Sequence, residues 1–396
     1  MTGPLTGLRV LEVGGIGPGP FAGMMLADLG AEVIRVDRPD GRGNPDPDLH
    51  RILLRGRRSI TLDLKSPLGR ELLLDLADGS DALIEGFRPG VMERLGLGPA
   101  PVLARSPRLV YGRMTGWGQE GPGSKTAAHD INYIAVAGAL EPLAAPDLTP
   151  TPPLNMLGDF GGGGMLLVCG VLAALLHARE TGRGQVVDAA IVDGTALLTG
   201  MLHSMRASGA WSAPRGENLF DGGAPYYGVY RTADDVWLAV GALEPQFYAG
   251  LLDGLGLAEE LGHVEQDDRA RWPQLRRRFA ERIAERTRAA WMEIFAGTDC
   301  CVSEVVAPDS VLTHPQLAAR RTYLVADGLL QPAPAPRFSA TPAALPPPAP
   351  DPGADTTTIL TELGVAPERL RVLLAAGVVG GPTAKGDAPG GDSRRR

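Results

Sequence analysis

Three short segments of the chain place ionisable side chains beside turn-forming or compact residues. They are His129-Asp130-Ile131-Asn132-Tyr133, Gly158-Asp159-Phe160 followed by glycines at 161–164, and Gly241-Ala242-Leu243-Glu244-Pro245. An imidazole and two carboxylates suit the removal of a proton beside a carbonyl group, which requires a base, an acid and hydrogen-bond donors for the enolate oxygen. The sequence therefore predicts proton-transfer chemistry, with His129, Asp159 and Glu244 as candidate catalytic residues.

Each of these three residues has a second interpretation. His129 opens a predicted helix after a glycine-rich loop, where a neutral imidazole can accept a proton near physiological pH, although most lone histidines are surface or satisfied core residues. Asp159 precedes a glycine-opened helix and could be its N-cap, in which case the helix dipole would favour the ionised carboxylate. A residue that acts as an acid needs the opposite, a raised pKa. Glu244 could simply begin a helix. The residues alone leave these alternatives open.

The elements that must position these residues begin with an alternation of strands and helices. Strands are predicted at 8–13, 32–36, 59–64, 82–85 and 109–113, with helices at about 21–29, 67–77 and 99–105. This order is typical of a parallel sheet covered by helices. A long apolar helix at 161–180 and an apolar run at 186–191 follow. We predict a large Rossmann-like α/β domain over residues 1–200.

The remaining chain predicts a smaller α/β domain and a return segment. After a linker at 201–224, residues 225–322 form the small domain. Its predicted elements are a hairpin at 226–231 and 236–240, helices at about 245–255, 272–284 and 287–296, and a strand at 302–306. Residues 323–379 return to the large domain through an extended proline-rich run at 332–352 and a helical stretch at 356–378. Residues 380–396 are predicted to be a disordered tail that is dispensable for activity.

The glycine loop after the first strand allows a redox enzyme as a distant alternative. Gly17-Pro18-Gly19-Pro20-Phe21-Ala22 fits the G-x-G-x-x-A pattern of dinucleotide-binding folds, and Asp37 lies where a ribose-binding acid is expected. Two prolines remove backbone N–H donors that a pyrophosphate requires. A nicotinamide-dependent oxidoreductase is therefore kept only as the distant alternative.

Three arginines favour a phosphate-bearing ligand instead. Arg38, Arg88 and Arg94 fall at the ends of predicted strands or in the adjoining loops. Open α/β sheets bind ligands at this edge, and forked guanidinium groups recognise phosphate oxygens well. The arrangement predicts a phosphate site there.

Composition excludes several classes of protein. The net charge of -8 argues against a nucleic-acid or anionic-membrane partner. The three cysteines, Cys169, Cys300 and Cys301, have no spacing typical of disulfides or zinc sites, which favours a reducing, cytoplasmic location. We also expect no charge-free run of membrane-spanning length.

Together the three segments resemble the α-methylacyl-CoA racemase branch of the family III CoA-transferases, the CaiB/BaiF group, from Leu8 to about Val378. The resemblance implies a 2-methylacyl-CoA racemase of lipid metabolism that uses no metal or redox cofactor. His129 and Asp159 would exchange the α-proton, Glu244 would orient His129, and N–H groups near Gly161–Gly163 would stabilise the enolate. Matching positions contact CoA in that branch: Arg38, Leu62, Asp63, Leu64, Lys65, Gly86, Phe87, Arg88, Arg94, Ala128, Asp130, Ile131, Asn132 and Tyr133.

The resemblance also implies an interlocked homodimer, in which each active site takes His129 and Asp159 from one large domain and Glu244 from the partner's small domain. The nearest alternative is a CoA-transferase, in which the aspartate matching Asp159 is a nucleophile that forms an acyl anhydride. In transferases the position of His129 is typically not histidine, so the segment that begins with His129 favours the racemase branch.

Overall fold

The structure is a computed structural model and describes residues 2–143, 149–211 and 214–382. The strands in this part of the chain, in order, are β1 Arg9–Val13, β2 Glu32–Asp37, β3 Arg57–Leu62, β4 Ala82–Glu85, β5 Val110–Thr115, β6 Val186–Ala190, β7 Tyr227–Arg231, β8 Trp237–Gly241, β9 Val302–Glu304, β10 Tyr323–Ala326, β11 Leu329–Pro332 and β12 Val379–Gly380.

The α-helices are α1 Pro18–Asp28, α2 Pro47–His50, α3 Pro67–Asp78, α4 Val91–Arg94, α5 Pro99–Arg105, α6 Asp130–Val136, α7 Leu166–Thr181, α8 Ile191–Leu198, α9 Gly200–Ala207, α10 Pro245–Leu255, α11 Ala258–Leu261, α12 Trp272–Ile283, α13 Arg288–Phe295, α14 Pro315–Arg320, α15 Thr356–Glu362 and α16 Pro367–Ala375. A π-helix spans Met156–Met165 and a short 3-10 helix spans Pro308–Ser310.

The chain divides into two compact units. The first contains residues 1–137, 154–198 and 324–396, and the second contains 138–153 and 199–323. The boundaries differ from the predicted ones at two places. Residues 138–153 group with the second unit. The predicted linker 201–224 also belongs to that unit, and its first residues form part of helix α9.

A seven-stranded sheet organises the first unit, in the order β12-β3-β2-β1-β4-β5-β6. Strands β1 to β6 are parallel, and β12 pairs with β3 in the antiparallel sense. The order 3-2-1-4-5-6 is that of dinucleotide-binding folds and reverses between β1 and β4, where such sheets open a crevice at the carboxyl ends of the strands. The predicted Rossmann-like α/β architecture is confirmed.

Apolar residues cover both faces of this sheet, as parallel strands require. One core joins Leu11, Ile34 and Leu83 to apolar residues of α3, α15 and α16. The other joins Val10 and Val33 to apolar residues of α1 and α7. Alternate residues of each strand thus contribute to opposite cores.

The second unit contains a three-stranded antiparallel sheet, β7-β8-β9, packed against helices. Its core is rich in aromatic residues, including Tyr226, Tyr230, Phe279 and Trp291. The predicted hairpin and the three predicted helices at 245–255, 272–284 and 287–296 match β7, β8, α10, α12 and α13 within a few residues.

Several elements differ from the predictions. The helix predicted from residue 161 begins five residues earlier, as the π-helix. The predicted helical stretch 356–378 is two helices, because Gly364 has a φ of 83° and Pro367 begins α16. The β10–β11 pair was not predicted, although its turn is Asp327-Gly328 with φ values of 52° and 73°, a common hairpin signal.

The expectation that no charge-free run reaches membrane-spanning length was wrong. Residues 156–181 form a helical segment that is long and apolar enough to cross a bilayer by length and composition alone. That is weak evidence for a membrane span, because core helices of soluble proteins pass the same test. Here Leu167, Val171 and Ala174 belong to the core cluster that contains Val10 and Val110.

Strand β12 contradicts the predicted start of the disordered tail at residue 380; residues 383–396 lie outside the described residues. Gly380 N donates to Thr61 Oγ1 at 2.8 Å, and Thr61 Oγ1 donates to Gly380 O at 3.0 Å. Val378 and Val379 are 5% and 1% exposed. The chain is therefore ordered at least to the end of this strand, and the edge of β3 is covered.

Ending the chain after Gly377 should lower the free energy of unfolding by roughly 2–4 kcal/mol, because two buried valines and the edge pairing are lost. Thermal unfolding of the truncated protein measures this change. A matched truncation after Pro382 keeps β12 and should melt close to the full chain. An equal loss of stability in both truncations would contradict the assignment of the effect to β12.

Candidate active site

The segment that carries Asp159 is a π-helix wedged between two helices of the first unit. A Cβ added to Gly162 would lie 2.8 Å from Thr195 N, and one added to Gly194 would lie 1.8 Å from Gly162 O. A Cβ on Gly164 would lie 2.6 Å from the Phe21 ring. The glycines thus let α1 and α8 approach the π-helix backbone, and their clustering has a packing explanation.

This geometry changes the expected role of Gly161–Gly163. In a π-helix each N–H bonds to the carbonyl five residues earlier, as Phe160 N does to Asn155 O at 3.3 Å. The N–H groups of Gly161–Gly163 lie inside the Met156–Met165 π-helix and are engaged in the same pattern. We therefore do not assign them to an enolate.

Asp159 lies in the first turn of the π-helix and is not its N-cap, which is Asn155. Burial raises the pKa of the Asp159 carboxyl, and the negative charge of Asp130 raises it further; a side-chain hydrogen bond from Asn155 and the charge of His129 act in the opposite direction. The net direction is upward, which suits a group that must carry a proton. The N-cap interpretation is not supported.

His129 lies close enough to Asp159 for its charge to act on that carboxyl. It is the exposed N-cap residue of α6, and its backbone N–H donates to Asn132 Oδ1 at 3.0 Å. Tyr133 Oη donates to Ala128 O at 2.8 Å and braces the preceding turn. The structure thus brings an accessible imidazole and a partly buried carboxyl together in one unit.

Glu244 belongs to the second unit, where it is the exposed N-cap residue of α10. Gln266 fixes the chain just before it, because Gln266 Nε2 donates to Leu243 O at 2.8 Å and to Ala242 O at 3.1 Å. The charge of Glu244 also acts on Cys301: burial, and then this charge, raise the pKa of the Cys301 thiol. Gln266 was not predicted, and no local sequence signal marks it.

A cavity of about 390 Å³ opens at the carboxyl ends of β1, β2 and β3. Seven of the predicted CoA-contacting residues line it: Arg38, Leu62, Asp63, Leu64, Lys65, Phe87 and Arg94. In the part of the chain that the structure describes, the exposed cations Arg38, Lys65 and Arg94 have no carboxylate within 4.0 Å. These charges are available to an anionic ligand, as phosphate binding requires.

The other predicted contacts lie outside this cavity lining. Gly86 adjoins the glycine loop, since a Cβ on Gly15 would lie 3.8 Å from its Cα. The charges of Arg88 and Asp159 both act on the Tyr133 hydroxyl, so Arg88 lies near Asp159 and Tyr133 and not in the cavity lining. Ala128, Ile131 and Asn132 surround His129 in the chain. Asp130 differs from all of these because it is buried, at 7% exposure, and bonded to Asp159.

A buried ion network that was not predicted supports the glycine loop. Arg35 binds Glu12 and also donates to Gly14 O at 3.3 Å and to Gly15 O at 3.1 Å. Arg57 binds Glu12 at 3.0 Å and the Pro20 carbonyl. The sequence signal for this network is the occurrence of charged residues within apolar strands. Charged side chains are rarely buried unless they form ion pairs, so such residues indicate buried ion pairs.

The same network weakens the dinucleotide alternative. Asp37, the candidate ribose ligand, is 6% exposed and receives hydrogen bonds from Arg35 Nε at 3.1 and 3.2 Å. A Cβ on Gly17 would lie 3.2 Å from Asp159 Oδ2, so the middle of the glycine loop faces the Asp159 carboxylate. A pyrophosphate at that place would meet the oxygens of a carboxyl group instead of the N–H donors it requires.

Comparison with known proteins agrees with the fold. The model of the family described as CoA-transferase family III matches residues 5–356. The chain belongs to this family. It is 46% identical to the α-methylacyl-CoA racemase of Mus musculus over 371 residues, which cover 92% of this chain and 95% of the racemase.

Other members of the family are more distant. The succinyl-CoA–D-citramalate CoA-transferase of Chloroflexus aurantiacus is 35% identical over 268 residues, 65% of this chain and 66% of that protein. A crystal structure of a CaiB/BaiF family protein from Brucella suis superposes with a TM-score of 0.80 at 25% identity, covering 92% of this chain and all of that one. The predicted family and its fold are confirmed.

Proposed function

We propose that this family III protein interconverts (R)- and (S)-2-methylacyl-CoA thioesters by removing and returning the α-proton. The observation that carries the proposal is the pairing of His129 with Asp159, a carboxyl whose pKa is raised by burial. The higher identity to a racemase than to a citramalate CoA-transferase supports it further.

The chemistry needs a base on one side of the α-carbon and an acid on the other. The thioester carbonyl acidifies the α-proton. Neutral His129 takes this proton from one epimer, and protonated Asp159 returns a proton to the opposite face of the enolate. In the reverse direction ionised Asp159 is the base and protonated His129 the acid. Glu244 would accept a hydrogen bond from the imidazole and fix its tautomer.

The CoA part of the substrate is proposed to occupy the 390 Å³ cavity. Its phosphates would lie against Arg38, Lys65 and Arg94, whose side chains are exposed at the strand ends. Both proton-transfer groups belong to the protein itself, so we propose a reaction that needs no metal or redox cofactor. No nucleic acid or membrane is proposed as a partner, and the proposed location is the cytoplasm.

We also propose a homodimer, because the first unit presents an apolar helix face. Met165, Cys169, Ala173 and Leu176 are exposed along α7 and its preceding turn, with Met165 at 52% and Leu176 at 63%. Their spacing of three and four residues places them on one side of the helix. A second copy of the chain would cover this stripe, and the partner subunit's Glu244 would then be available to His129.

Incubation with one epimer of a 2-methylacyl-CoA in heavy water should place one deuteron on the α-carbon and produce the other epimer without an acceptor acid. Enolate formation followed by reprotonation from solvent-exchanged groups requires this result. Mass spectrometry and chiral separation of the acyl groups measure it. No exchange, with acyl transfer appearing once a free acid is added, would instead identify a CoA-transferase that uses Asp159 as nucleophile.

A further inference from the structure

Asp130 lies directly beneath the backbone of Asp159. Its Oδ2 accepts a hydrogen bond from Asp159 N at 2.6 Å. A Cβ added to Gly158 would lie only 2.4 Å from the same oxygen, so this contact depends on glycine at position 158. The Asp130 carboxylate thus packs against the backbone at Gly158 and Asp159 and fixes the position of Asp159.

Among the described residues, no cation compensates the negative charge of Asp130. Its Oδ1 is buried and has no hydrogen-bond partner among the described residues. Within residues 2–143, 149–211 and 214–382, no arginine, lysine or histidine nitrogen lies within 4.0 Å of the carboxylate. Buried carboxylates are normally paired or fully hydrogen-bonded, so an unpaired one beside a candidate acid is unusual.

We propose that Asp130 is a positioning residue for proton transfer, which holds the Asp159 backbone and keeps an uncompensated negative charge beside Asp159 and His129. The inference rests on the proposed racemase function. Asp130 is the first residue of α6, and its carboxylate is held against the backbone of Asp159 by the Asp159 N–H. Asp159 lies next to it and therefore retains its proton more readily.

The groups around this pair determine the sign of the effect. His129 directly precedes Asp130 as the N-cap of α6, Asp159 lies in the π-helix, and the charges of Asp159 and Arg88 both act on Tyr133. The Asp130 charge favours proton binding at Asp159. Removing it should make Asp159 release its proton at lower pH, so the limb of a bell-shaped rate profile that reports loss of the Asp159 proton should move to lower pH.

The test is D130N in the full-length protein, because the amide oxygen can still accept the Asp159 N–H while the charge is lost. We expect kcat/KM to fall roughly tenfold at neutral pH and the limb of its pH profile that reports the Asp159 proton to move to lower pH. The matched control is N132A, which removes the cap on the His129 N–H without changing charge. It should lower activity and stability and leave the limbs in place.

An unmoved Asp159 limb in folded D130N would overturn the proposal, as would an equal shift in N132A. If D130N does not fold, D130E supplies the second measurement. It keeps the charge but displaces the acceptor, so its rate should fall with the limbs unchanged; displaced limbs there would also refute the inference. Wild-type protein that does not racemise any 2-methylacyl-CoA would refute the proposed function instead, so the two failures are distinguishable.

Discussion

Replacing His129 by alanine or Asp159 by asparagine should lower the rate of epimerisation by roughly two to four orders of magnitude, the usual contribution of a general acid or base. Each substitution removes one of the two groups that the opposite faces of the α-carbon require. The equilibrium between epimers is a property of the substrates, so forward and reverse rates should fall together. Racemisation is measured from both epimers by chiral separation.

Proton exchange without inversion should distinguish the two variants. His129 can still take a proton from one epimer in D159N and return a deuteron to the same face. Asp159 should do the same for the other epimer in H129A. Exchange in heavy water should therefore survive with one epimer in one variant and with the opposite epimer in the other. The exposed His263 supplies the control, since H263A should behave like wild type.

A D159N variant that racemises near the wild-type rate would contradict the acid role. The raised pKa of Asp159 would then be a consequence of its surroundings with no catalytic use. Loss of exchange with both epimers in both variants would show instead that the two residues act only together, as a coupled pair.

Mixing two inactive chains, one carrying H129A and the other E244A, should restore about a quarter of wild-type activity if each site combines residues of two subunits. Half of the dimers formed by random exchange would be mixed. In each mixed dimer one site would have both defects and the other site neither. Co-expression with two affinity tags isolates the mixed dimers, whose activity is then measured directly.

The control pairs H129A with D159N. These two residues belong to the same unit of the chain, so no arrangement of mixed dimers rebuilds a complete pair and no activity should return. The affinity tags prove that H129A–E244A heterodimers have formed. If such heterodimers show no activity, Glu244 belongs to the same subunit's site or lies outside the site.

The parts of the fold that local patterns determine were predicted well from the sequence. Strand β1, the glycine turn, α1 and β2 follow from an apolar run, glycines and a second apolar run. His129, Asp159 and Glu244 were found because their neighbours in the chain form recognisable motifs. Their roles still depend on the experiments above.

The remaining features depend on contacts between distant parts of the chain. The π-helix forms where Gly162 meets Gly194 and Thr195, a packing that no window around Asp159 contains. The contact between Asp130 and Asp159 spans 29 residues, and that between Glu12 and Arg57 spans 45. Asp130 was assigned to CoA through its motif neighbours, whereas its burial points to Asp159. Sequence motifs group residues by order along the chain, and burial depends on the completed fold.

Strand β12 has a consequence for how the protein is made. Gly380 bonds to Thr61 across 319 residues, at the strand whose end lines the ligand cavity. During synthesis the strands β1 to β6 emerge long before their last neighbour, and contacts of such large sequence separation form late and slowly. The β3 edge stays open on the ribosome until nearly the whole chain has been translated. Until β12 is added, the nascent chain therefore exposes an unpaired strand edge, which favours pairing with other chains.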